Sequence, residues 1–280
     1  MTTQFITAAQ QIQMAWKNGR GSTIEIASDA DEVDGTWSWR FSMAHITNRE
    51  PFSLLAGVDR CIACLHGEGL RMMRRRDVHD WRDVHDSHDL HDWRDLHDSA
   101  QHHDALNRVR VKAIGDASND ANGSFVEVPR EGEAFRFAGE EAWIGEPVTL
   151  RNTKSGVQGA DAGDEISVHD INLMVRRDRW HARMRVVRHT HNIGEDDQQK
   201  ILLAQGECVI LFAATTLSCV VAHIGERLFH VEQGCALVVR CQADDAQDAS
   251  VNFLTKVGDV VVIATCVPRE AGFVSTLRGL

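Results

Sequence analysis

Apolar residues along this chain recur with period two, or gather in short runs, at 22–26, 37–46, 60–66, 125–128, 180–187, 201–212, 217–224, 235–241 and 257–267. Period-two alternation places every second side chain on one face of a β-strand. Gly, Asn and Asp break the runs at short intervals, the pattern of a barrel or a double-sheet jelly roll. The only stretch compatible with helix is the first dozen residues. Pro51, Pro129, Pro147 and Pro268 all fall at run boundaries, where a residue without an N–H least disturbs a sheet. The pattern therefore predicts an all-β protein.

Two segments break the pattern. Residues 151–167 (RNTKSGVQGADAGDEIS) are rich in Gly, Asp and Ser and read as a flexible insertion. Residues 74–123 contain four hexamers in register at 76–99, RDVHDW RDVHDS HDLHDW RDLHDS. The apolar positions there (Val78, Trp81, Val84, Leu90, Trp93, Leu96) recur every three residues, a spacing that drifts around a helix and alternates faces on a strand. Neither element gains a fixed apolar face, so the segment is expected to be a disordered loop insertion. Imidazoles and carboxylates this dense could chelate Zn²⁺ or Ni²⁺ weakly. Its perfect register is better explained as expansion of a short repeat in a tolerant loop.

Composition changes the picture only after that segment is set aside. The 15 His suggest a metalloprotein, but seven of them lie between residues 74 and 104. Thirty Lys and Arg against 41 Asp and Glu give a net charge of -11, which excludes a generally basic nucleic-acid binder. There is no basic n-region followed by an apolar h-region, and no apolar run of 18 residues, so no membrane association is expected. Seven Cys, an odd number, sit mostly in strand-like runs and read as reduced buried thiols of a cytoplasmic protein. Assembly as a homodimer stays open.

The most informative stretches are MAWKNGRGSTIEI (14–26), WSWRFSMAHI (37–46), PFSLLAGVDR (51–60) and LHGEGLRM (65–72). FAGEEAWIGEPV (137–148) and HDINLMVRRDRWHARM (169–184) follow further on. In this order they resemble the HutD/Ves family of bicupin proteins associated with histidine utilisation. The W-K-N-G-x-G-x-T-x-E-I block at 16–26 is the most specific, and W-R-x-S-x-A at 39–44, P-F-S at 51–53 and D-x-N-x-M at 170–174 support it independently. The resemblance reaches about residue 184; both insertions depart from the family pattern, and both fall where loops are expected.

The resemblance implies a bicupin. An N-terminal barrel would cover 1–150, interrupted at 74–123, and a C-terminal cupin-like barrel 168–280. It further implies a small-molecule binder, not an enzyme, that senses or buffers an anionic intermediate of histidine breakdown such as urocanate or a formylated amino acid. No cofactor is implied.

An anion pocket needs a few cationic donors among apolar walls. Arg40 lies opposite the face of Trp39, Phe41 and Met43 and shares its own with the small Ser42 and Ala44, so its guanidinium can enter a cavity. Lys17 and Asn18 precede a Gly-x-Gly turn, Thr23 and Glu25 share a strand face, and Arg60 offers a second cation. Trp16 and Phe52 would be flat walls, and Asp170 and Asn172 complete the set. Plainer readings compete: an Arg40–Glu25 structural ion pair, an Asn18-Gly19 hairpin turn, a core Trp16, and Asp170 and Asn172 as turn-and-cap residues between barrels.

The rival is a metal-dependent cupin enzyme. His189-x-His191-x₃-Glu195 matches the first half of a cupin metal motif, with i and i+2 on one strand face, but the second half is missing downstream. Cys61 and Cys64 lie within one run and face opposite sides, which speaks against joint ligation. No nucleophile elbow, P-loop or dinucleotide fingerprint occurs. A third reading makes the repeat loop, with Trp81 and Trp93, a partner-binding tether.

Overall fold

The computed structural model describes residues 1–16, 21–30, 36–74, 125–148, 167–189, 197–216, 219–242 and 249–269. The repeat at 76–99, all but Ser167 of the 151–167 segment, and Lys17, Asn18, His191 and Glu195 lie outside these residues.

In chain order the strands are β1 (Thr2–Ile6), β2 (Ile12–Ala15), β3 (Gly21–Ser28), β4 (Trp39–Ile46), β5 (Glu50–Pro51), β6 (Val58–His66), β7 (Leu70–Arg74), β8 (Phe125–Glu127), β9 (Gly132–Glu133) and β10 (Phe135–Ala138). They continue as β11 (Trp143–Pro147), β12 (Val168–Arg176), β13 (Trp180–Arg188), β14 (Asp197–Leu203), β15 (Cys208–Thr215), β16 (Cys219–Ile224), β17 (Arg227–Glu232), β18 (Ala236–Arg240), β19 (Ala249–Thr255) and β20 (Val260–Pro268). The first dozen residues are not helical: they form β1, a 3₁₀ turn at Ala8–Gln10 and the start of β2. The run at 201–212 is likewise two strands. They are separated by a turn in which Gly206 takes a φ of 80°, a left-handed conformation that suits glycine.

The strands form four antiparallel sheets, ordered β10-β6-β12-β4-β3-β2, β5-β11-β7-β8, β1-β18-β15-β20-β13-β9 and β14-β19-β16-β17. Three apolar clusters fix how they stack. Ile62, Leu70, Met72, Phe135, Phe137 and Trp143 lie between the first and second sheets, and Phe253, Leu211, Val239, Val251 and Val261 between the third and fourth. The third cluster holds Trp39, Phe41, Leu173, Met184 and Phe212, which joins the first sheet to the third. The fold is thus an all-β bicupin: two jelly-roll-like units, back to back, with a four-layer section.

That stacking explains the sequence of the central strands. β15 (CVILFAAT) is apolar on both faces because both faces meet an apolar cluster. β12 (VHDINLMVR) was not among the runs read as strand, since Asp170 and Asn172 interrupt it. It is the central strand of its sheet, between β4 and β6. Ile171, Leu173 and Val175 face the seam between the barrels, and Asp170, Asn172 and Met174 face the interior of the N-terminal barrel. Asp170 and Asn172 are therefore not turn residues.

The N-terminal part of the chain also lends two strands to the larger sheet of the C-terminal unit. β1, from the very start of the described chain, pairs with β18 along Thr2↔Arg240 to Ile6↔Ala236, and β9 pairs with β13.

Candidate functional site

Register across the first sheet sorts the inward-facing side chains of the N-terminal barrel into rows. One row runs Arg40, Met174, Arg60 and Phe137 over β4, β12, β6 and β10. The next runs Glu25, Ser42, Asn172, Ile62 and Phe135, and the third Met14, Thr23, Ala44, Asp170 and Cys64. The described residues singled out from sequence thus meet in one interior. Arg40, Ser42, Thr23, Glu25, Arg60, Asp170 and Asn172 line it, with Trp16 and Phe52 packed on the same cluster.

Arg60 is 6% exposed and lies between two rings, its Cζ 4.9 Å from the Phe52 centroid and 5.2 Å from that of Phe137. Its Nη1 donates to the Ser53 carbonyl at 3.3 Å, while Nε is buried without a partner. Burial pulls its pKa down to about 10, opposed by the nearby Asp170 charge, so it remains a cation at neutral pH.

Asp170 is fully buried. Its Oδ1 accepts the Ala44 backbone N–H at 3.0 Å, and Oδ2 has no partner. Burial pushes its carboxyl up to about 7, against the opposing pull of Arg60 and of backbone N–H groups. Asn172, 5% exposed, likewise leaves Oδ1 unpartnered. A buried polar atom without a partner loses the free energy of its lost hydration, so three within one small interior require an explanation.

Arg40 behaves differently. Its Nε lies 2.8 Å from Glu25 Oε2, and Glu25 Oε1 accepts from Ser28 Oγ at 2.8 Å. Both side chains of the pair are 21% exposed. The contact is an ion pair by distance without hydrogen-bond alignment at Nε, as Arg40 Nε also lacks a hydrogen-bonded partner. Arg40 and Glu25 thus form an ion pair at the rim of the interior.

The aromatic walls are seated by glycine. Trp16 Nε1 donates to Thr23 Oγ1 at 2.8 Å, and a Cβ at Gly21 would stand 2.7 Å from the Trp16 ring. A Cβ at Gly145 would stand 2.7 Å from Phe52. The glycines of these two motif blocks make room for rings packed on this interior.

Other motif residues are scaffold. Arg177 clasps Asp59 (2.6 Å) and Glu140 (2.8 Å), and Glu140 Oε1 accepts the Gly57 N–H at 2.7 Å, tying three loops together. Asp29 accepts the N–H groups of Ser38 and Trp39 and the Ser38 hydroxyl, which in turn accepts from Trp180 Nε1 at 2.7 Å. Two open surface cavities, of about 580 and 650 Å³, lie elsewhere. One is floored by Arg176, Arg177 and Arg269, the other lies between Trp39, Trp180 and Arg240 at the barrel seam. The chemistry is concentrated in neither: the arginine most enclosed in the first, Arg177, is already neutralised by its two carboxylates.

In the C-terminal barrel, His189 directly follows β13, with Nδ1 3.1 Å from the Thr255 carbonyl. Among the described residues no group of three or more His, Cys, Asp and Glu could hold a metal ion. Cys61 and Cys64 face the seam and the barrel interior respectively, and burial pushes their thiols up to about 12 and about 11, which makes them poor ligands and nucleophiles. Sequence reasoning missed one cluster: His45 stacks on His169 at 4.7 Å and His66 meets His169 edge-on at 5.8 Å. Burial, then its imidazole neighbours, lowers the His169 pKa. Their spacing in sequence carries no signal, since only the register β4–β12–β6 brings them together.

With the site assembled, the family can be compared. The HutD family model matches residues 8–89. An uncharacterised 21.2 kDa protein from the hutC 3′ region of Pseudomonas putida is 40% identical over 70 residues, 25% of this chain; the chain spans 37% of that relative's length. Two solved structures share the fold at low identity. A conserved protein of unknown function from Pseudomonas aeruginosa PAO1 aligns with a TM-score of 0.60 at 18% identity, over 96% of this chain and all of its own. HutD from Pseudomonas fluorescens SBW25, in a formate condition, aligns with 0.55 at 17%, again over 96% and 100%. Residues 8–89 thus carry the HutD sequence signature, and the fold over the whole length is shared with these two structures.

Proposed function

We propose that this protein binds a small anionic intermediate of histidine breakdown, urocanate or a formylated amino acid, inside the N-terminal barrel without transforming it. By holding that intermediate it senses or buffers its level and so regulates histidine utilisation, from a cytoplasmic location. No helix among the described residues is long and apolar enough to cross a membrane.

The carrying observation is Arg60. A permanently charged guanidinium, buried between two aromatic rings with an unpartnered Nε, awaits an anion. Its companions fit recognition better than catalysis. Among the described residues the interior holds a raised carboxyl, an amide and hydroxyls, but no His base beside a nucleophile, and its one thiol is held protonated. The neighbourhood of the Pseudomonas putida relative, beside hutC, supports the histidine-breakdown assignment.

A thermal-shift panel with urocanate, N-formylglutamate and histidine tests the reading. Stabilisation by a true ligand follows RT ln(1 + [L]/Kd), about 2.7 kcal/mol at a hundredfold excess over Kd. Arg60→Met, which keeps the unbranched stem and removes the charge, should abolish the shift. No shift with any anion, or an undiminished one in Arg60→Met, would show the proposal wrong.

A further inference from the structure

We propose that the pocket is directional: it takes a ligand with a carboxylate at one end and an N–H donor at the other, the carboxylate on the Arg60 side and the N–H on Asp170 and Asn172. This rests on the binding role proposed above and adds to it the ligand's polarity and the residues that read each end.

The argument is a count of unmet partners along one strand. Asp170, Asn172 and Met174 occupy alternate positions of β12 on the interior face. Successive members are about 7 Å apart along the strand, and the whole series spans about 13 Å. At the Met174 end, register brings Arg40 and Arg60 to either side, so both cations approach the interior there. At the other end stand Asp170 Oδ2 and Asn172 Oδ1, two buried acceptors with no donor in the protein. The interior therefore offers an unused donor, Arg60 Nε, and two unused acceptors, ordered along its length. A plain dicarboxylate satisfies the cationic end only and adds an acceptor where acceptors are already in excess. An imidazole or secondary amide N–H satisfies the other end as well, and hydrogen-bonding sites of this kind reject analogues that lack the group.

Among the described residues, the charged and titratable side chains turned to this interior are Glu25 on β3, Arg40 on β4, Glu50 on β5, Arg60 and Cys64 on β6, and Asp170 on β12. Asp170 is the reader whose state changes near neutrality. Above about pH 7 its Oδ2 accepts; below, with Oδ1 committed to the Ala44 N–H, the proton falls on Oδ2 and turns it into a donor.

The test compares matched probes by calorimetry on the full chain at pH 8. Urocanate is set against 3-(furan-2-yl)acrylate, which has the same outline and carboxylate and no N–H. N-formylglutamate is set against glutarate. At least one N–H probe should bind tenfold or more tightly than its partner, and the margin should shrink below pH 7. Asp170→Asn keeps the acceptor for Ala44 and replaces Oδ2 with an NH₂, so it should erase the margin by weakening only the N–H probe. Asn172→Leu, which removes the second acceptor, should cut it in part and serves if Asp170→Asn does not fold. Equal binding within both pairs would overturn the directional reading and leave the anion-binding role standing. A margin untouched by either variant would overturn the assignment of Asp170 and Asn172, and binding of none of the four probes would remove both readings.

Discussion

The two barrels are built from the same parts and filled in opposite ways. The interior of the C-terminal unit is apolar nearly throughout: Val209, Leu211, Val220, Leu237, Val239, Val251, Phe253, Val261 and Ile263 are all buried there. The N-terminal unit instead buries Arg60, Asp170, Asn172 and Ser42 in the same interior as its aromatic residues, each of the four at most 6% exposed. Burying such groups costs free energy, more so for those without partners. An interior that served only to hold the fold would resemble the C-terminal one. The contrast sets a barrel packed for stability beside one whose buried polar groups fit the proposed ligand recognition, as expected when a functional site is maintained at some cost to stability.

Substitutions can test that division, beginning with the largest effect. Phe253→Ala removes a fully buried ring from the apolar barrel and should destabilise by roughly 3–5 kcal/mol in urea unfolding. Ligand-induced stabilisation should persist wherever the variant is folded. A cost below about 1 kcal/mol would mean that this interior is not the close-packed one described.

Asp170→Asn should act in the opposite sense. The folded carboxyl keeps its proton up to about pH 7, whereas the unfolded chain ionises near 3.8. Between those values the unfolded state binds fewer protons, so wild-type stability falls as pH rises. The neutral amide escapes that loss. Its advantage should be absent below pH 4, grow through the window and reach on the order of a few kcal/mol at pH 8, in melts of both proteins across pH. A variant less stable than wild type at pH 8 would show that Asp170 supports the fold, and the contrast between the barrels would fail. Smallest is Glu25→Gln: the pair with Arg40 is at the rim and partly solvated, so its loss should change stability by less than about 1 kcal/mol.

Much of this was visible in the chain before its fold. Alternation from residue 37 to 46 correctly puts Arg40 and Ser42 on the face away from Trp39 and Phe41, because β4 has one face on the seam and one on the pocket. The same logic failed at β12, where the interior-facing positions hold Asp and Asn. A buried strand with a polar face looks like a loop when hydrophobicity is the only signal. The opening dozen residues misled for a related reason. β1 is an edge strand with a mostly exposed pattern, held by pairing to a partner more than 200 residues away, which local sequence cannot reveal. Asp170 and Asn172 were identified through the family block, whereas their orphaned oxygens became evident only in three dimensions.

The β1–β18 pairing also bears on how the protein is made. β1 leaves the ribosome more than 200 residues ahead of its docking site, Ala236–Arg240, so it must wait for that segment. The C-terminal unit's larger sheet is complete only when β1, the strand that precedes the N-terminal sheets, docks on β18. Closing so long a loop is a slow, late event. Until it occurs the edge of β18 stays open to strands from other molecules, so a chain shortened before β18 should leave β1 unpaired and the nascent product prone to aggregation.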